Sequence, residues 1–510
     1  IAADYRQGYV EFLFLILHPI WTRIYAGIEV DAAGLDRVKE AAKQAPIVLV
    51  PSHKSHMDYL IISYVFYLNG LIPPHIAAGD NLNFWPMGHI FRHSGAFFLR
   101  RRFAGLELYT LVFRHYLRKM IKEGFAIEFF IEGGRSRSGK ILPPKFGMLR
   151  FLVEAVLSGA SRDIYFVPVN IGYEKIVEER SLMRELQGGE KEQENLGDLF
   201  KTTRILNRKF GRLYAQFDEP ISLREFFAGF GVDDEHPDDE TLQVAVTRLG
   251  HELVHCLSRI STATPSGVVA LSLLSLGKRG VSRDELLCRI GFVVGLLHAR
   301  DARLSNSLRV PLQEAAAELG RSRSPSCGDF SQYAPIGALF EDVVDEVLHL
   351  FSNNRFVSTY QDEEETLFRV EDGARITLDY YKNQVIEFFV DEAIVATAFL
   401  ISETNGGASL EMVRHESLEL SKLLKFEFHF ATNTDFPTAF ARTIEHLTTH
   451  EILALQTDTL VVAGNASFGL PLFRNLIRGF IESYYVAALT AQRFLAEPMT
   501  EGDFLARCQR

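Results

Sequence analysis

The stretch Ile47-Val-Leu-Val-Pro-Ser-His-Lys-Ser-His-Met-Asp-Tyr-Leu60 decides the fold. Ile47 to Val50 form an unbroken apolar run, the pattern of a buried strand. The polar residues Ser52 to Ser55 open a loop, and the aromatic and aliphatic run from Tyr59 continues as a helix. A strand that opens into a loop and then a helix is the building unit of an α/β layer fold.

The same loop carries chemistry. His53 and Asp58 are five positions apart, and 3.6 residues per turn would set such a pair far apart around a regular helix. They meet when His53 stays in the loop and folds back on Asp58 in the first helical turn. The carboxylate then accepts the imidazole Nδ1–H, leaving Nε2 to take a proton from an alcohol. Such a pair is a base without a nucleophile of its own. Ser55 to Asp58 also matches the S-x-x-D capping pattern, so helix capping is the competing role for Asp58. His56 has no clustered third ligand in the sequence and reads as a surface or structural histidine.

Outward from this unit, short apolar runs alternate with helical patterns from about Ala45 to Phe217. The expected strands are Pro46–Val50, His75–Ala78, Ala96–Leu99, Ala126–Ile131, Tyr165–Ile171 and Leu213–Phe217. Tyr59–Leu68, Leu106–Glu123 and Leu149–Leu157 read as helices. The predicted architecture is a mixed sheet flanked by helices over residues 45–220, preceded by a helical segment over 1–44 that is a candidate for membrane contact. Pro220, Gly229, Gly231 and the acidic run Asp233 to Glu240 mark a boundary. Residues 241–510 then read as mainly helical, through Leu242–Ile260, Val268–Leu276, Arg283–Ala299, Ile336–Ser352 and Asn383–Ile401. Near the end, Leu410–Leu424, Phe436–His450 and the apolar pair Ile452–Gln456 and Thr459–Ala463 suggest helix, helix and hairpin, a winged-helix-like shape. Glu411, Glu416, Glu419 and Glu445 leave those helices without a basic face, and the sequence shows no internal repeat.

Composition narrows the function. At 510 residues with 47% hydrophobic and 23% charged residues, the chain is a folded protein of more than one domain. A formal charge of -11 argues against nucleic acid as a partner. Cys256, Cys288, Cys327 and Cys508 lie far apart without CxxC spacing, fitting neither a zinc site nor a disulfide scaffold and suiting a reducing compartment. The chain begins at Ile1 rather than Met, which suggests a further N-terminal part. No run of 18 apolar residues occurs, which disfavours a span and leaves peripheral membrane contact open. Val10–Ile20, with Phe12, Phe14, Trp21 and Tyr25, and Tyr59–Ile72 suit either the headgroup region or a buried core.

Three further segments are chemically suggestive. Ser94-Gly-Ala-Phe-Phe-Leu-Arg-Arg-Arg-Phe103 ends a strand in three arginines, whose mutual repulsion calls for an anion such as phosphate or for solvation. Ala126-Ile-Glu-Phe-Phe-Ile-Glu-Gly-Gly-Arg-Ser-Arg-Ser-Gly-Lys140 runs from a strand into glycines, which allow close backbone approach, and arginine forks, which match phosphate oxygens. It lacks the spacing of an ATP-binding P-loop. Tyr165-Phe-Val-Pro-Val-Asn-Ile-Gly-Tyr-Glu-Lys175 is an apolar strand that Pro168 marks as an edge or an irregularity.

Together these segments resemble the four ordered blocks of the glycerolipid acyltransferases: HxxxxD at His53–Asp58, GAFFLRR at Gly95–Arg101, FIEGGRSRSG at Phe130–Gly139 and VPVNIGY at Val167–Tyr173. The wording is most similar to the bacterial membrane-bound glycerol-3-phosphate acyltransferases, and the resemblance is clear over roughly Val48 to Glu219. It implies an α/β acyltransferase domain followed by a mainly helical C-terminal region. It also implies His53 as general base, Asp58 as its partner, and Arg101, Glu132 and Arg135 in glycerol-3-phosphate binding or catalysis, with Pro168 from the fourth block. Glu132 thus counts among the expected catalytic residues. Arg100, Gly133, Ser136, Arg137 and Lys140 complete the expected substrate-binding set. The implied reaction acylates the C1 hydroxyl of glycerol 3-phosphate from acyl-CoA or acyl-carrier protein, with no metal, cofactor or acyl-enzyme. Lysophosphatidate or dihydroxyacetone phosphate as acceptor, and a catalytically silent lipid- or acyl-carrier-binding protein, are the alternatives. The implied location is peripheral, on the cytoplasmic face of the bacterial inner membrane.

Overall fold

A computed structural model describes the chain except for residues 101–102, 104, 179–181, 183–209, 232–236, 278, 320–332, 362–364, 433, 465, 497–498 and 509–510. Two compact units emerge, one of Ile1–Gly267, Leu297–Leu308 and Asp379–Val385, the other of Val268–Leu296, Arg309–Leu378 and Ile386–Arg510.

The first unit is built on an eight-stranded mixed sheet. Its strands are β1 (Ile28–Val30), β2 (Ile47–Pro51), β3 (His75–Gly79), β4 (Phe97–Leu99), β5 (Ile127–Glu128), β6 (Tyr165–Tyr173), β7 (Leu213–Phe217) and β8 (Ile221–Ser222), in the order β1-β7-β6-β2-β5-β3-β4 with β8 also on β6. β2 runs parallel to both β5 and β6, and β3 is parallel to β4 and β5. Every residue of β2 is buried, as its apolar run requires of a strand with neighbours on both edges.

Helices α1 (Gln7–Ile24), α2 (Ala32–Gln44), α3 (Asp58–Leu68), α4 (Met87–His93), α5 (Glu107–Lys122) and α6 (Phe146–Leu157) connect the strands. One core joins Val48 and Val50 of β2 and Ile127 of β5 to Phe113 and Leu117 of α5 and Leu149 and Leu152 of α6. Each such buried side chain contributes about 1.5–3 kcal/mol relative to exposure.

Three expectations need correction. The helix Asp239–Arg259 sends Leu242, Val246, Leu249 and Leu253 into this same core, so the first unit runs on to Gly267, past the composition shift at 218–240. Of the acidic run, Asp233 to His236 lie outside the described residues. The N-terminal 44 residues are no separate segment either, because β1 pairs with β7. Of the two readings of Pro168, the edge gives way to the irregularity: β6 lies between β2 and β7, with Pro168 opposite Val50. The proline sits where β6 changes its antiparallel neighbour from β8, at Tyr165–Phe166, to β7, at Val169–Tyr173. A residue without an N–H fits a point where the ladder is already interrupted.

The apolar segments divide as well. Within α3, Tyr59 to Ile62 and Tyr64 to Phe66 are buried, which makes it a core helix. In α1, Val10, Leu17, Trp21 and Ile24 are buried, while Phe12, Leu15 and Ile16 are exposed. Among the described residues no helix is long and apolar enough to cross a membrane.

The second unit is mainly helical, with two three-stranded antiparallel sheets. In one, Thr366–Val370 lies between Val357–Gln361 and Val281–Ser282; in the other, Thr459–Val462 lies between Leu453–Gln456 and Gly407–Ser409. In the second, Gly407–Ser409 leads into a helix, a second helix follows, and a hairpin returns with its later strand in the middle; in the first, Val281–Ser282 leads into Arg283–Ala299, and Asn306–Leu319, Ala334–Ala338 and Glu341–Asn353 follow before a hairpin of the same kind. Helix, strand, helices and hairpin in this order describe a winged-helix topology. The helices of the later copy are Val390–Ser402, Leu410–Leu424 and Phe436–Thr449. The duplication is one of topology, without a repeat in residue identity.

Candidate active site

β2 delivers the loop of Ser52 to Met57 to the edge of a cavity of about 1570 Å³ in the first unit. α3 begins at Asp58, so the loop must reverse over five residues, and His53 Nδ1 lies 3.0 Å from Asp58 Oδ2. The reversal is held by backbone donors: the Lys54 and Ser55 N–H groups donate to the same Asp58 oxygen at 2.7 and 2.9 Å. The other oxygen, Oδ1, accepts the Tyr173 hydroxyl at 2.5 Å. Asp58 therefore both anchors the helical start and holds the imidazole. The two roles weighed against each other in the sequence belong to one carboxylate.

The His53 peptide is clamped by the glycine- and arginine-containing loop. Its N–H donates to Glu132 Oε1 at 2.7 Å, and its carbonyl accepts the Ser136 N–H at 2.8 Å. Phe130 stacks on the ring with centroids 4.0 Å apart. Burial lowers the imidazole from its ordinary value, opposed by the hydrogen bond and charge of Asp58, so the ring is held neutral. With Nδ1 given to Asp58, Nε2 is the nitrogen left for chemistry.

Glu132 lies off the cavity wall. It is buried, and its second oxygen accepts the Leu142 N–H at 2.8 Å. Burial pushes its carboxyl up to about 8, against those two amide donors and the charge of Lys54. Lys54 is buried too and falls to about 8. This acid braces two loops.

Among the described residues, four cations line the cavity: Arg100, Arg135, Arg137 and Lys145. Arg100 follows β4, donates its backbone N–H to the Tyr109 hydroxyl and lays its guanidinium over that ring, 5.4 Å from the centroid. Gly133 and Gly134 also line the cavity, and Gly133 has a φ of +67°. Three further expected substrate residues are not on the wall. Ser136 and Lys140 are buried in the loop, and Pro168 is buried in β6. Arg101 lies outside the described residues, as does Arg102.

Much of the remaining wall is apolar, with Ser63, Asp80, Asn81 and Ser94 as polar members. Leu13, Phe14 and Leu17 of α1 face it, with Tyr64 and Tyr67 of α3; Phe103, Phe113 and Phe151 contribute elsewhere. The cavity thus joins the His53 imidazole, several cations and an extensive apolar surface.

Sequence reasoning missed Lys145, and Glu178 beyond the fourth block. Glu178 is buried, accepts the Ser55 hydroxyl at 2.9 Å and the His56 N–H at 2.8 Å, and lies 3.9 Å from Arg135 Nη1. No local pattern singles it out, since its partners lie 122 and 123 positions away.

The chain matches the family model of the glycerol-3-phosphate acyltransferase C-terminal region over residues 183–324 and 330–510, and that of the acyltransferases over 30–172. Curated relatives carry the name glycerol-3-phosphate acyltransferase. That of Alteromonas mediterranea is 39% identical over 367 residues, covering 69% of this chain and 44% of the relative. That of Shewanella amazonensis is 35% identical over 449 residues, covering 86% and 50%. That of Pseudomonas putida is 34% identical over 408 residues, covering 79% and 45%. The chain spans about half the length of these relatives. The solved 1-acyl-sn-glycerophosphate acyltransferase of Thermotoga maritima aligns over 48% of this chain and 78% of its own at 16% identity, with a TM-score of 0.29, a likeness too slight to carry an argument.

Proposed function

Because this chain belongs to the glycerol-3-phosphate acyltransferase family, we propose that it transfers an acyl group from acyl-CoA or acyl-carrier protein to the C1 hydroxyl of glycerol 3-phosphate, giving 1-acyl-glycerol 3-phosphate. The observation that carries this reading is the imidazole of His53, fixed through Nδ1, on the wall of a cavity that also holds four cations and an apolar lining.

In the reaction, His53 Nε2 takes the hydroxyl proton as that oxygen bonds to the thioester carbonyl carbon. The tetrahedral adduct collapses with cleavage of the carbon–sulfur bond, and the imidazolium returns the proton to the departing thiolate. A thiolate leaves readily, so positioning outweighs acid assistance. Arg135, Arg137, Arg100 and Lys145 bind the phosphate dianion, and the apolar wall takes the acyl chain. No metal or acyl-enzyme enters this scheme.

The protein works at a membrane surface, peripherally and on the cytoplasmic face of the bacterial inner membrane. Exposed Phe12, Leu15, Ile16, Leu68, Ile72, Trp85, Leu108 and Leu111 support this, because they lie on or beside elements whose other faces line the cavity. An apolar product could then leave directly into lipid.

The test is an acceptor panel with a radiolabelled acyl thioester. Glycerol 3-phosphate is expected to be acylated ahead of dihydroxyacetone phosphate and lysophosphatidate, and His53→Ala to lose at least about 1000-fold in rate with the fold intact, within the range for a general base that also aligns the acceptor. Retained activity in His53→Ala refutes the mechanism, and preference for another acceptor refutes the substrate.

A further inference from the structure

We propose that Tyr173 is a positioning residue for acyl transfer, whose phenol fixes Asp58 and offsets part of its charge, thereby setting both the aim and the basicity of His53. The proposal rests on the reading of His53 as the base.

Asp58 is fully buried, and its two oxygens are unequally served. Oδ2 takes three donors: His53 Nδ1–H, the Lys54 N–H and the Ser55 N–H. Among the described residues Oδ1 takes one, the Tyr173 hydroxyl at 2.5 Å. Tyr173 ends β6, a strand with neighbours on both edges, and only 1% of its surface is exposed. Its ring lies 6.5 Å from that of Tyr25, so the phenol is fixed by the sheet and cannot turn to solvent. Without that donor, Oδ1 is a buried carboxylate oxygen with no partner, and the carboxylate is held from its Oδ2 side alone.

The electrostatic consequence has a definite sign. Each donor on a carboxylate draws charge away from its other contacts. Removing the phenol therefore leaves more negative charge facing His53, favours the imidazolium and raises the pH at which the ring becomes neutral. The other groups acting on His53 are His56 and Arg135, which both disfavour its protonation, and the buried Lys54–Glu132 pair lies in the same two loops. The phenol is faced by Asp58, Tyr25 and Glu178, and these together with burial keep it protonated, so it stays a donor at working pH.

Carbethoxylation of His53 by diethyl pyrocarbonate, followed against pH by mass spectrometry of the His53 peptide, reads the imidazole titration without turnover. Tyr173→Phe keeps the ring and removes the donor. We expect kcat to fall about 10-fold, equivalent to about 1.4 kcal/mol of barrier. The KM for glycerol 3-phosphate should stay within about twofold, since a positioning loss acts on the chemical step. The modification midpoint should rise by roughly half a pH unit, the scale of a partly lost charge offset.

Replacing Tyr173 with 3-fluorotyrosine, a stronger donor of nearly the same shape, should move the midpoint the other way, and this arm decides the matter if Tyr173→Phe does not fold. An unmoved midpoint in the folded proteins overturns the proposal even if kcat falls, because packing alone would then explain the loss. A wild-type protein that acylates no acceptor ends the proposed function, whereas the midpoints still judge the Tyr173–Asp58–His53 coupling.

Discussion

Glu132 shows how a residue in a functional block can act on the backbone of its neighbours. Its two oxygens accept the N–H groups of His53 and Leu142, so one side chain ties the loop after β2 to the far end of the basic loop. A buried donor left without an acceptor costs about 1–3 kcal/mol, and Glu132→Ala strands two of them. We therefore expect Glu132→Ala to lower the unfolding free energy by about 3 kcal/mol, measured by urea denaturation, along with its loss of activity. A variant of unchanged stability with only a raised KM for glycerol 3-phosphate would return Glu132 to the substrate. The sequence made His53 and Asp58 legible because their spacing allows one arrangement of a loop against a helical turn. It could not separate Glu132, which braces, from Arg135, which faces the cavity: both follow the same strand, and only the path of the backbone distinguishes them.

At the level of elements, the strands around His53 were readable because each is a run of apolar residues between polar turns. Ala126–Ile131 was read too long, since only Ile127–Glu128 pairs as a strand. β1 and β8, of three and two residues, are too short to carry a pattern, and they form only because β7 and β6 are there to receive them. Long-range support is equally illegible. Residues Asp379–Val385, far along the chain, belong to the first unit, where Asn383 Nδ2 donates to the Ser138 carbonyl at 2.8 Å. Gly139 sits beside this support with a φ of +82°, and a Cβ there would lie 2.1 Å from the Tyr380 carbonyl oxygen. Gly139→Ala combines a strained backbone with a backbone clash, so the basic loop and its support must separate. We expect a loss of stability of about 2 kcal/mol or more and a raised KM for glycerol 3-phosphate, whereas Gly134→Ala, with nothing within 4 Å of the added Cβ, keeps its stability. Thermal unfolding and steady-state kinetics of the two variants provide the comparison.

For the molecule as a whole, the proposed membrane contact needs a route other than a span-length apolar helix, of which there is none among the described residues. The side chains of α1 suggest how. Val10, Leu13, Phe14 and Leu17 face the cavity, while Phe12, Leu15 and Ile16 point to solvent at 49%, 73% and 41% exposure, so both faces of one helix are apolar. A soluble helix gains nothing from the second face, but an interfacial one gains the burial of each side chain. The exposed cations Arg114, Arg118, Lys119 and Lys122 of α5 add attraction for anionic headgroups. Replacing Phe12, Leu15 and Ile16 with serine should lower partitioning onto phosphatidylglycerol-containing vesicles at least about tenfold, since each buried apolar side chain is worth about a kcal/mol or more. Co-sedimentation measures this, and the matching change in Tyr485, Val486 and Leu489, exposed apolar residues of the second unit, should leave partitioning unchanged. Equal losses in the two variants would mean that general surface hydrophobicity drives adsorption. Undiminished binding of the first variant would remove α1 from the lipid contact, and with it the argument that the cavity opens toward the bilayer.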